Sequence, residues 1–239
     1  MSVAHWVVFI AGLDLAWVTA WGQPPTPPHV DFGGLERLVK PITGKPLSAD
    51  LTDETEPRLP DASLAGKGTA HYRAYRDGRG RVAIVSQEPG QSPAPVSIID
   101  PPGRVWSDFD AAARTEYRIT WQGDEPAQAG GDNPLRSRQG RFKADRERLG
   151  SEKVNGTDCE RYRITFSVVA RPDGGPDLRA VDEGCRSEDL GLLIDVKTEG
   201  PSGVGRVTVT NIHRGEPPRE VFERPEGFAT VEVPLILQQ

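Results

Sequence analysis

Sulfur is scarce in this 239-residue chain: Cys159 and Cys185 are its only cysteines and Met1 its only methionine. Two cysteines cannot complete a structural zinc site without histidine. The four histidines (His5, His29, His71, His213) fall at no ligand spacing, and His213 with Glu216 lacks a third donor, so no metal is expected. Clustered positive charge is missing as well. Lys and Arg number 29 against 35 Asp and Glu, a net charge of −6, which excludes a general nucleic-acid binder because phosphate affinity rests on basic patches. No apolar run reaches the roughly 20 residues of a membrane-spanning helix, so no transmembrane segment is expected once a leader is removed.

Catalytic patterns are absent in the same way. A serine hydrolase needs Gly-x-Ser-x-Gly between a strand and a helix; the nearest string, Gly90-Gln91-Ser92-Pro93-Ala94, lies in a proline-rich loop. Gly78-Arg79-Gly80 lacks the strand–helix setting of a phosphate cradle. No carboxylate pair stands out for glycoside hydrolysis. Asn155-Gly156-Thr157 matches only a glycosylation sequon. The chain reads as a non-enzyme with no cofactor.

What is abundant is turn chemistry. The 26 glycines and 22 prolines make up about a fifth of the chain, against roughly 12% in ordinary proteins, which favours many short strands. The N-terminus opens with an apolar run over 6–18, followed by Ala20-Trp21-Gly22 and a proline cluster. This is the pattern of a secretory signal peptide over 1–22, although Asp14 inside the run costs about 3 kcal/mol on insertion scales. The mature chain is expected in the periplasm or outside the cell. An even cysteine count suits that compartment.

Residues 23–45 form a proline-rich segment in which LERLVK makes a helical turn before Pro41 stops it. Strand-like runs follow at 46–59, 68–77, 81–88, 95–100, 104–110 and 115–121, with Asp77-Gly78 as a hairpin signal. Residues 123–148 are polar and read as a long mobile loop. From Arg136 to Arg148 this loop holds six cations, including Arg138, Arg141 and Lys143, so it is expected to meet an anionic lipid surface or an acidic partner. In DCERYRITFSVVA (158–170), Tyr162, Ile164, Phe166 and Val168 share an apolar face, opposite Arg161 and Arg163. Further strand candidates lie at 179–187, 190–199 and 205–212, and no βα alternation is present. The two cysteines flank neighbouring strands. A bridge would close a loop of about 25 residues, and alternation places Cys159 on the polar side with Arg161, so an exposed bridge is expected.

Four stretches carry a resemblance: YRDGRGR (75–81), IIDPPGRVWSDFDAAARTEYRI (98–119), EDLGLLIDVKTEGPSGVGRVTVTNI (188–212) and GEPPREVFERPEGF (215–228). Over about 45–233 the chain resembles exported bacterial proteins of the LolA-like superfamily, the outer-membrane lipoprotein-sorting proteins. Cys185, where that pattern often has an aromatic, and the basic loop depart from it. The resemblance implies a mainly β fold over 46–236: an incomplete antiparallel β-barrel, a curved sheet with short lid helices, whose apolar interior holds the acyl chains of lipids or lipoproteins. Trp121, Tyr162, Ile164 and Phe166 are the ligand-facing candidates. Pro217 and Pro218 stop the preceding strand, and a helical turn from Arg219 to Phe222 leaves Phe222 and Phe228 to plug the open end as a lid. The alternative is an envelope sensor or interaction module that grips a protein partner with the same sheet.

Overall fold

The computed structural model describes residues 35–59, 61–88, 90, 94–121, 141–169 and 178–233. Contacts divide the chain into Met1–Val30 and Asp31–Gln239, and every described residue belongs to the second unit. The leader, most of the proline-rich segment, Arg136 and Arg138 lie outside the described residues.

Twelve strands follow in order: β1 Leu47–Pro57, β2 Gly68–Arg76, β3 Val82–Ser86, β4 Ala94–Asp100, β5 Val105–Asp110, β6 Thr115–Thr120, β7 Arg141–Val154, β8 Thr157–Val169, β9 Leu178–Ser187, β10 Leu192–Gly200, β11 Gly203–Arg214 and β12 Ala229–Glu232. They form one sheet in the order β12-β6-β5-β4-β3-β2-β1-β11-β10-β9-β8-β7. The sheet is curved and does not close on itself, which is the incomplete barrel expected from the sequence. All neighbours are antiparallel except β12, which lies parallel to β6. Strand β1 joins the two halves, pairing with β2 on one side and β11 on the other.

Tight turns explain the antiparallel order. Asp77 begins the β2–β3 turn, where its carboxylate accepts the Arg79 and Arg81 N–H groups at 3.0 and 2.8 Å. Gly80 completes that turn at φ +83°. Asn155 and Gly156, at φ +50° and +78°, make the two-residue turn between β7 and β8, for which Asn-Gly is the favoured pair. The Asn155 amide also donates to the Val209 carbonyl at 3.0 Å. The sequon is thus a structural turn.

Residues 141–148 correct the loop expected over 123–148, because they form the first half of β7. Exposed residues on both sides of an edge strand remove the apolar alternation by which strands are recognised. Residues 143–153 are all exposed. The helical content of the described residues is two single 3-10 turns, Leu35–Leu38 and Arg219–Phe222.

The core lies chiefly on the side of the sheet that carries Leu47, Ala49 and Leu51, here termed the Leu51 face. Ala74, Val82, Ile84, Ile99, Trp106, Ile119 and Val209 are buried on the same side. Each large aliphatic side chain buried there contributes about 1.5–3 kcal/mol. The Trp106 indole N–H is satisfied by Ser97 Oγ at 3.0 Å and Asp108 Oδ1 at 3.1 Å. Val39, fully buried, bridges to Leu192 and brings the first 3-10 turn against the sheet.

Candidate functional site

Residues directly opposite one another in a ladder project to the same side, so the pairings locate each candidate. Tyr162 pairs with Gly184, Val196 with both Gly184 and Val207, and Val207 with Asp53, two residues after Leu51. Tyr162, Ile164 and Phe166 therefore lie on the Leu51 face. Ile119 reaches the same side through Trp106, Ile99 and Val82. Trp121, two residues further and bonded through its N–H to the Arg104 carbonyl at 3.3 Å, continues that alternation.

Exposure changes along this face. Trp121 and Tyr162 are buried, whereas Ile164, Phe166, Val196 and Val207 are half-buried. The Tyr162 ring lies over Gly184, where a Cβ would come within 2.6 Å of the phenol oxygen and would push the ring aside. Burial raises the Tyr162 phenol above its usual range. The Arg146 guanidinium stacks 5.0 Å from that ring and sits in register with Ile164. Past Phe166 the face is floored by Ala180, Gly200 and Gly205, with a Cβ on Gly200 meeting Ala180 at 3.2 Å.

Phe222 and Phe228 are elsewhere. Ala83, Ile98 and Phe109 point to the side opposite Leu51 and form one cluster with Phe222, against which Tyr75, Val221 and Phe228 pack. The Phe109 and Phe228 rings meet edge to face at 5.7 Å. The Arg81 guanidinium covers the Phe222 ring at 4.4 Å. The structure thus divides the six apolar candidates: Trp121, Tyr162, Ile164 and Phe166 share the Leu51 face, and the two phenylalanines share the Phe109 face.

The segment carrying them is pinned at both ends. Gly215 N–H donates to the Pro46 carbonyl at 3.1 Å, and the Glu216 carboxylate accepts the Gly78 N–H at 3.0 and 3.1 Å. Beyond the second 3-10 turn, Ala229 N–H donates to the Arg114 carbonyl at 2.9 Å. Beside the first of these anchors Ser48, Arg73, Tyr75, His213 and Glu216 line a cleft of about 370 Å³. Arg73 reaches Asp50 there at 3.6 Å.

Buried charges escaped the sequence reading, Arg76 and Glu116 foremost. Arg76 is fully buried and donates to the carbonyls of Lys45, Lys40 and Leu190, each at 2.8 Å. It ties the end of β2 to the segment before β1 and to the β9–β10 turn, and burial lowers its pKa. Glu116, 1% exposed, accepts from Ser107 at 2.7 Å, Arg118 at 2.8 Å, Thr230 at 3.0 Å and Arg224 at 2.7 Å. Burial pushes its carboxyl upward, but the Ser107, Arg118 and Thr230 hydrogen bonds and the Arg118 charge hold it below its ordinary value. Arg76 has no local signal, since its partners are 31, 36 and 114 positions away.

Cys159 and Cys185 form a disulfide between β8 and β9, with Cα atoms 5.4 Å apart. Cys185 pairs with Arg161, so the bridge runs diagonally across the ladder on the arginine side. The expectation of an exposed pair is corrected, since Cys159 is 6% exposed and Cys185 is 0%. Charged side chains roof it: Arg161 pairs with Glu152 and, at 3.5 Å, with Asp195, which Arg206 also holds at 2.9 Å. The Glu152 carboxylate and the two sulfurs lie within 4.8 Å of one another, but sulfurs bonded to each other are not thiolate ligands. Among the expected surface cations, Lys143 pairs with Asp145 at 2.9 Å, Arg148 pairs with Glu160, and Arg141 opens β7.

No family model and no curated protein sequence matches this chain. Solved structures are similar at low identity. MucB is 12% identical with a TM-score of 0.41, covering 81% of this chain and 62% of MucB. The Mycobacterium tuberculosis lipoprotein LppX is 15% identical with a TM-score of 0.28, covering 72% and 88%. A putative outer membrane lipoprotein-sorting protein domain from Vibrio parahaemolyticus is 8% identical with a TM-score of 0.29, covering 73% and 88%. The chain therefore spans less than two thirds of the length of MucB, and at such identities a likeness of fold carries no shared ligand or partner.

Proposed function

We propose that the chain is a periplasmic or secreted binding protein that holds an acyl-bearing hydrophobic ligand, a lipid or a lipoprotein, against the Leu51 face without covalent chemistry. The observation that supports this reading is one largely apolar face running from Ile119 to Phe166, interrupted by Asp53 and Asp182, buried over much of β1–β6 and half-exposed at Ile164, Phe166, Val196 and Val207. Each methylene moved from water onto such a surface contributes about 0.8 kcal/mol, so an acyl chain needs no directed hydrogen bond to bind. Arg146, in register with Ile164, supplies a cation beside that surface for an anionic head group. The leader pattern over 1–22 and the disulfide suit an oxidising compartment. Among the described residues no helix is long and apolar enough to cross a membrane.

The test is native mass spectrometry of the chain purified from its own envelope without detergent, followed by lipid extraction. A co-purified acyl lipid at defined stoichiometry is the expected result. A stoichiometric polypeptide with no lipid would replace this reading with the interaction-module alternative.

A further inference from the structure

Strand β7 ends the sheet, and among the described residues no strand pairs with its far side. Its 14 residues of unpaired edge are an invitation to pair with another chain, which proteins ordinarily discourage with charges and bulges. Both devices are here, but they do not act evenly along the strand. The bulge lies between Arg148 and Gly150, and Gly150 has φ +123°. The longest regular stretch of edge is therefore Arg141–Arg148.

The charge order on that stretch, Arg141-Phe142-Lys143-Ala144-Asp145-Arg146-Glu147, reads in reverse as its own complement except at Arg146, which faces Phe142. Two copies running antiparallel about a two-fold axis at Ala144 bring Lys143 opposite Asp145 and Arg141 opposite Glu147, each twice by symmetry. Moving the axis by one residue weakens this. Centred on Asp145 it keeps two Lys143–Glu147 pairs but opposes two aspartates, and centred on Lys143 it keeps two Arg141–Asp145 pairs but opposes two lysines. Centred on Arg146 it opposes two arginines and sets Asp145 against Glu147. Opposite charges directly across a ladder stabilise it and like charges destabilise it, so one register is selected.

We infer that β7 is a self-association edge, occupied by β7 of a second copy in the register centred on Ala144. Lys143 and Asp145, now paired along their own strand at 2.9 Å and both exposed, exchange partners between copies. A two-fold axis normal to the sheet leaves the same side of both copies facing the same way. The half-exposed surfaces around Ile164 and Phe166 then adjoin across the interface. The inference stands on the edge and its charges and does not depend on the identity of any ligand.

Sedimentation velocity of the full chain over a concentration series tests it, with the wild type expected to dimerise reversibly. Lys143→Glu alone and Asp145→Lys alone each set like charges opposite one another, which weakens association by roughly tenfold or more. An equimolar mixture of the two variants restores it. In the mixed dimer the introduced glutamate of one copy faces the introduced lysine of the other, and the unaltered Asp145 and Lys143 face each other. Melting temperatures unchanged from wild type show that both variants are folded. A wild type that stays monomeric at every concentration overturns the inference, as does a mixture no better than its components. A different polypeptide held on this edge would overturn it too.

Discussion

At the β6 end of the sheet the chain supplies its own closure: residues 215–228 cross the Phe109 face, and β12 then pairs along β6. At the β7 end the final strand is long, charged and exposed. The first end is held by apolar burial, with Phe222 seated among Ala83, Ile98 and Phe109. The second is held by cross-strand ion pairs such as Arg163 with Glu183 at 2.7 Å, and by the disulfide. Exposed ion pairs contribute little, commonly about 0–1 kcal/mol each, so a covalent link between β8 and β9 has a clear physical use. The closed end thus concentrates apolar burial and the open end accessible surface.

Truncating Phe222 should have the largest effect. Phe222→Ala removes a buried ring and is expected to cost about 3–5 kcal/mol of unfolding free energy, while affinity for a fluorescent fatty acid stays unchanged in the folded fraction. Ile164→Asn, on the half-exposed surface, should do the reverse, with a stability cost of about 1 kcal/mol or less and markedly weaker probe binding. Urea unfolding and probe titration of both variants read this directly. Weaker probe binding in Phe222→Ala with full stability would return that ring to the role of a lid.

Removing the bridge comes next. The cysteines are 26 positions apart, and replacing both by serine should cost about 3 kcal/mol in the chain-entropy account. Hydrogen exchange should quicken in β8 and β9 before β3–β5, because local openings follow local stability. Thiol titration of unfolded, unreduced protein should find no free sulfhydryl; two would remove the bridge and this part of the contrast.

A smaller effect than losing the bridge tests the polar seam beneath β12. Glu116→Gln keeps the shape but weakens hydrogen bonds to a charged acceptor, at an expected cost of about 1.5–3 kcal/mol. The folded state holds this carboxyl below its unfolded value. Its contribution is therefore present above the unfolded carboxylate range and is lost as pH falls through the folded pKa. The wild type should lose stability on that acid limb, and Glu116→Gln should show a flatter one in melts from neutral to acidic pH. Identical acid limbs would show that Glu116 does not set this dependence.

Much of the architecture was legible in residues. Alternation in YRITF marked β8, and Asp77-Gly78 marked the β2–β3 turn. Pro217-Pro218 marked the stop after β11, with a turn beginning at Arg219. The site was legible only in part. Trp121, Tyr162, Ile164 and Phe166 do share a face, yet nothing local separated them from Phe222 and Phe228. Strand β7 was hidden because an edge strand with polar residues on both sides resembles a loop.

What the sequence by itself determined is what the backbone decides locally: alternation sets which residues of one strand share a side, and Asn155-Gly156 or Gly80 permit positive φ where the chain must reverse. Only the tertiary structure decided which side of one strand continues which side of another, because that depends on registers accumulated from ladder to ladder and on their bulges. It also decided that Arg76 could be buried, since its three acceptors are carbonyls that only the folded chain gathers. The disulfide is buried for the same reason. Glu152, Arg161, Asp195 and Arg206 come from four strands, and their charges roof the sulfurs only after those strands have paired.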